Sequence, residues 1–228
     1  MNVRSSDTSQ GSSLRRRLAA WASFVSLVAA VGYANRFAGG SPDRDALYRW
    51  STVAGELLVF AVILAATLAI AGRHRSLFAL RRPASWRRAL VLSLAVLAVV
   101  YPVVALLDPL LHGGREQGLT PTGWQSSHAA AYVVNALVIA GVAPFCEELL
   151  FRGLGFSLLA QRRGSATAIV ATGLAFGVYH GLVQALPSLV LIGCALAWLR
   201  ARTRSVYPGM LVHATFNAVA LIGAVTVG

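Results

Sequence analysis

Lysine is absent from these 228 residues, and acidic side chains number only eight. Asp, Glu, Lys and Arg together make up 12% of the chain, against about 25% in an ordinary soluble domain. So little charge cannot clothe a water-soluble surface, and such a composition excludes a disordered chain as well. Only two cysteines occur, Cys146 and Cys194, each inside an apolar run. That excludes a disulfide framework and a cysteine-based zinc motif, and both read as small buried hydrophobes. What is present in abundance is apolar: 57% of residues are hydrophobic and the mean hydropathy is +0.65. The reading is an all-α, integral, multi-pass membrane protein, with room for about seven to nine helices of about 20 residues.

The formal net charge of +12 comes from twenty arginines. They cluster between apolar runs, as Arg15–Arg17, then Arg73, Arg75, Arg81, Arg82, Arg87 and Arg88, then Arg162–Arg163, then Arg200, Arg202 and Arg204. Clusters that cap hydrophobic segments fit the positive-inside rule and attraction to anionic headgroups. A nucleic-acid surface would interleave a basic face with aromatics on a soluble fold, so the partner is the lipid bilayer and no nucleic acid is expected.

Seven apolar spans are expected, within a range of six to eight: Leu18–Ala34, Ala54–Ala71, Ala89–Leu107, Ala129 to about Ala160, Ser165–Val183, Ala185–Leu199 and Met210–Val227. Residues 1–17 read as a flexible cytoplasmic tail, 18–128 as N-terminal transmembrane helices, and 129–228 as the core that carries chemistry. Leu18–Ala34 is a retained signal-anchor rather than a cleaved leader. Pro42, Pro83, Pro109 and Pro208 fall at or near the ends of segments. With the N-terminus inside, fifteen arginines face the cytoplasm and only Arg36, Arg44, Arg49 and Arg115 face out. The bias predicts a cytoplasmic N-terminus and an external C-terminus. The arginine-rich, lysine-free usage suggests a bacterial inner membrane.

Two of the eight acids are adjacent, in Ala-Pro-Phe-Cys-Glu147-Glu148-Leu-Leu-Phe-Arg152-Gly. Each charge at mid-bilayer costs about 2.5–3.5 kcal/mol even on lenient scales, so three together need a reason. On a helix Glu148 and Arg152 share one face, acid first, and Glu147 is turned about 100° away and left free to exchange a proton. Phe176-Gly-Val-Tyr-His180 and His213-Ala-Thr-Phe-Asn217 lie in two later spans. His213 and Asn217 are four apart and converge. Gly173, Gly177 and Gly181 form a small-residue stripe that lets a neighbouring helix approach closely.

Counted from Arg163, Glu147 lies 16 residues back and His180 17 forward, or about 24 and 25 Å of helix. His213 is only nine residues from Arg204, about 14 Å. It reaches the same depth only if the 204–209 loop dips inward. Glu56, in the second span, reads as sitting at a wet end or paired with an arginine, outside the site.

A carboxylate and imidazoles in a dry pocket suit water activation. Glu147 would take the proton, His180 hold the water, His213 and Asn217 donate to the oxyanion, and Glu148–Arg152 fix the helix and its field. The same groups would equally suit a divalent metal such as zinc on Glu147, His180 and His213, with water in the open position. No H-E-x-x-H, no Gly-x-Ser-Gly and no pair of intramembrane aspartates occurs. Two other readings stay open: a non-catalytic bacteriocin-immunity or peptide-binding membrane protein, and a proton-coupled transporter.

Glu-Glu-x-x-x-Arg at 147–152, Phe-x-x-x-His at 176–180 and His-x-x-x-Asn at 213–217, in that order on separate helices, resemble the CAAX protease and bacteriocin-processing (Abi) family of intramembrane endopeptidases. The resemblance covers about residues 130–225. It implies an α-helical membrane peptidase acting on peptides or membrane proteins, with Glu147 and His180 at the water and His213 with Asn217 near the oxyanion. It also implies a cavity open to the cytosol and the membrane. Use of a metal in that family is disputed.

Overall fold

The computed structural model describes residues 3–39, 43–116, 121 and 123–226. Pro42, Val227 and the first two residues lie outside the described residues. Among the described residues there is no strand. The first three helices are α1 (Val3–Phe37), α2 (Trp50–Ala71) and α3 (Trp86–Leu111). A helical run of 54 residues follows, Ser126–Tyr179. Gly164, at φ 83° and ψ 167°, breaks it into two arms, 126–163 (α4) and 165–179 (α5). That conformation costs glycine little and any other residue much, which is why the turn falls there. Helices α6 (Leu186–Thr203) and α7 (Tyr207–Thr226) complete the bundle. Six helices are long and apolar enough to cross a membrane. The break at Gly164 divides the fourth, so seven apolar rods result.

The boundaries differ from the expected ones in two places. Helix α1 begins at Val3, not Leu18, so the polar segment read as a tail is helical. Helix α3 runs on to Leu111 and holds Pro102 and Pro109 in its interior. Its start follows rule: the Ser85 side chain accepts the Arg88 N–H at 3.3 Å. Leu58, Leu94 and Leu110 point outward and are 67%, 55% and 74% exposed. An apolar exterior of this kind matches a lipid solvent, whose tails are as apolar as leucine.

Helix α4 is not a regular α-helix. Val138–Val142 and Leu149–Gly155 are wound as π-helix, on either side of the α-helical turn-and-a-half Ala143–Glu148. Such widened turns disturb the usual i→i−4 ladder and leave carbonyls for outside donors. Three side chains from other helices take them up. Asn217 Nδ2 donates to Ile139 O at 2.8 Å, Trp21 Nε1 to Leu150 O at 3.0 Å, and Arg200 Nε to Arg152 O at 3.2 Å. The π turns therefore tie α4 to α7, α1 and α6 and fix the pitch at which the acid pair emerges. Leu150, Phe151, Leu154 and Leu158 are fully buried around them.

Candidate active site

The acid pair projects from the α-helical stretch of α4 between the two π turns, and both glutamates are buried. Arg152, on the following π turn, is fully buried; its Nη1 stands 2.9 Å from Glu148 Oε1 and its Nη2 donates to Gly193 O at 3.0 Å. The guanidinium lies over the Phe176 ring, 4.3 Å from its centroid. Phe176 meets His180 and His213 on its other contacts, at centroid distances of 4.7 and 5.6 Å. It is thus a wall between the arginine and the two imidazoles.

His213 stands between the two acids. Nδ1 is 3.3 Å from Glu148 Oε1, and Nε2 is 3.7 Å from Glu147 Oε2. Arg152 pairs with Glu148, as expected, and the contact of His213 with both acids is additional to the roles expected of it. A flat ring inserted between adjacent acids reaches both.

His180 closes α5. Its Nδ1 is 2.7 Å from Phe176 O. The carbonyl only accepts, so Nδ1 carries a proton and the neutral ring offers Nε2 as an acceptor. Asn217 uses one amide N–H on Ile139 O and keeps the other.

Glu147, His180, His213 and Asn217 all line one cavity of about 510 Å³. The structure brings these four together. Glu148 and Arg152 do not line it; Glu148 stands behind His213, and Arg152 behind Phe176. The depth mismatch at His213 has a physical answer. The chain at 205–209 dips inward: Ser205 and Val206 are fully buried, Val206 N–H donates to Ala79 O at 3.3 Å, and Gly209 packs against the Glu148 carboxylate. Helix α7 thus starts well inside the bundle, and nine residues suffice.

One residue was misplaced by sequence reasoning. Glu56 lines the same cavity, and its Oε2 is buried without a hydrogen-bond partner. Among the described residues no arginine pairs with it. The signal was there: an acid in an apolar run carries the same cost at 56 as at 147.

Among the described residues no group of three or more His, Cys, Asp or Glu side chains is gathered to hold a metal ion. Glu147, His180 and His213 are therefore not gathered as a zinc site, and no step below passes through a metal.

Residues 129–219 match the Rce1-like family model, described as type II CAAX prenyl endopeptidase Rce1-like. No curated protein and no solved structure matches the chain. The family whose model is matched is one of proteases. The matched segment begins at the first residue of the regular part of α4 and holds all six polar residues singled out above, while α1–α3 and Glu56 lie outside it.

Proposed function

We propose that this protein is an intramembrane endopeptidase that hydrolyses peptide bonds of membrane-associated proteins or peptides with a water activated by Glu147 and His180. One observation carries the reading: five polar side chains from four helices, Glu56 among them, meet at a single cavity whose remaining walls are mostly apolar. Charges buried at such expense favour chemistry over packing.

The steps follow from the donors and acceptors present. A water held by His180 Nε2 gives a proton to the Glu147 carboxylate as its oxygen attacks the peptide carbonyl. The free N–H of Asn217 donates to the oxyanion. With Nδ1–H on Glu148 and a second proton on Nε2, His213 Nε2–H joins it, because at 3.7 Å from Glu147 it is beyond a good hydrogen bond. Donors of this kind are each worth about 3 kcal/mol in the transition state. The C–N bond then breaks, and Glu147 returns the proton to the leaving nitrogen. Glu148, itself held by Arg152, takes His213 Nδ1 and keeps the ring aligned.

The test is terminal-peptide mapping of a membrane proteome incubated with purified protein. Wild type is expected to create new chain ends, and Glu147→Gln or His180→Ala to lower their yield about 100-fold or more while purifying as a folded species. Cleavage by Glu147→Gln at the wild-type rate overturns the assignment.

A further inference from the structure

Residues 57–107 and 149–228 contain twelve arginines and no Asp or Glu. Turns of these two stretches meet at one end of the bundle, where Arg81 Nε donates to Arg204 O at 2.7 Å and Val206 N–H to Ala79 O at 3.3 Å. The opposite end, where Arg36 pairs with Glu116, is arginine-poor. Cations crowded without acids repel one another, and at a lipid boundary water and salt screen them less than in bulk solution.

Between those turns lies a hollow of about 530 Å³, separate from the catalytic cavity. Arg81 and Arg82 line it with Trp86, the first residue of α3, and with Tyr207, Met210 and Leu211 from the start of α7. No acidic side chain lines it, and among the described residues none pairs with either arginine. Arg81 spends Nε on the Arg204 carbonyl, which fixes the guanidinium and leaves its two Nη groups for an anion. Guanidinium forks match phosphate oxygens. Tryptophan and tyrosine favour the boundary between headgroups and acyl chains. Met210 and Leu211 supply an apolar side for a chain to lie against. A soluble anion would use only the first of these features, whereas a phospholipid uses all three.

We propose that this hollow binds an anionic phospholipid, its phosphate on Arg81 and Arg82 and an acyl chain on Met210 and Leu211. A zwitterionic headgroup would bring its own cation against the arginines and is disfavoured. The bound lipid braces the start of α7. Gly209, between Tyr207 and Met210, packs on the Glu148 carboxylate, and His213 follows three residues after Met210. Any effect of the lipid on cleavage rests on the hydrolytic reading above; its binding and its effect on stability do not.

The full chain, purified and delipidated in an uncharged detergent, is heated with phosphatidylglycerol or with phosphatidylcholine of the same acyl chains. Phosphatidylglycerol is expected to raise Tm by about 5 °C or more at saturation, and phosphatidylcholine by much less. The increment is expected to vanish in Arg81→Gln/Arg82→Gln. It should survive in Arg162→Gln/Arg163→Gln, which removes the same charge from exposed positions that do not line the hollow. Equal shifts with the two lipids, or equal loss in the two double variants, overturns the proposal. So does a shift of the same size with glycerol phosphate, which has the anion and no chains. Should Arg81→Gln/Arg82→Gln fail to purify, a photoreactive phosphatidylglycerol crosslinked to the wild type is expected to mark peptides spanning 80–86 and 207–211, and labelling confined to other segments overturns the site. None of these readouts involves proteolysis, so they stand whatever a cleavage assay shows.

Discussion

Glu148 is fully buried and held through one of its two oxygens. Its Oε1 faces Arg152 Nη1 and His213 Nδ1, and its Oε2 is boxed in by Gly209. A Cβ at 209 would stand 2.7 Å from Oε2. A carboxylate end would ordinarily swing aside, but here the other oxygen is anchored twice. Gly209→Ala is therefore expected to displace Glu148 and tilt His213, reducing cleavage at least tenfold while thermal unfolding in detergent changes little. Wild-type activity in that variant would show that Glu148 has slack. At this scale much was legible in advance, because the cost of placing Glu147, Glu148, Arg152, His180 and His213 in apolar runs marks them without coordinates. Their partners were not: nothing in the spacing of 147, 148 and 213 shows that one imidazole lies between two acids.

The helices depend on close approach more than on caps. Helices α5 and α6 cross where Gly173 meets Gly193 and Cys194. A Cβ on Gly173 would come within 2.8 Å of the Cys194 backbone nitrogen, and one on Gly193 within 2.7 Å of Gly173 O. The same crossing presents Gly193 O to Arg152. Gly173→Val is expected to force the two helices apart and remove that acceptor from a buried cation, at a cost of about 3 kcal/mol or more. A fall in thermal stability in detergent, with loss of the monodisperse species, checks it. The glycine stripe was readable as a packing face, but it serves two neighbours: Gly173 and Gly177 pack on α6, and Gly181 on Gly32 of α1. The π turns of α4 were not readable, since they depend on donors that arrive from Trp21, Arg200 and Asn217, far away in sequence.

Across the whole molecule, one carboxylate gathers the arginine-poor end. Glu116 accepts from the N–H groups of Val183 and Ala185 at 2.9 Å each and pairs with Arg36 at 3.1 Å. It thereby links α1, the turn before α4 and the segment between α5 and α6. Burial disfavours its charge, yet those N–H groups, that of Gln184 and Arg36 outweigh burial and hold the carboxyl below the usual glutamate range. The folded state thus binds a proton less readily than the unfolded chain. The stabilisation is complete above the ordinary glutamate value, about 4.3, and is lost as pH falls through the lower folded value. Glu116→Gln is expected to lower Tm at neutral pH, and the gap from wild type to narrow as the buffer is taken down to about pH 3. A gap that stays constant would mean that the carboxylate charge contributes nothing.

The sequence by itself determined the solvent, the number of apolar rods and the polar residues worth watching. Each of these follows from transfer free energies that act residue by residue and need no knowledge of neighbours. Only the tertiary structure decided that Glu56 joins the cavity and that α7 starts deep enough to bring His213 to the acids. Those outcomes depend on how helices distant in the chain are docked, and docking is set by shape and by hydrogen bonds between segments that local composition does not encode.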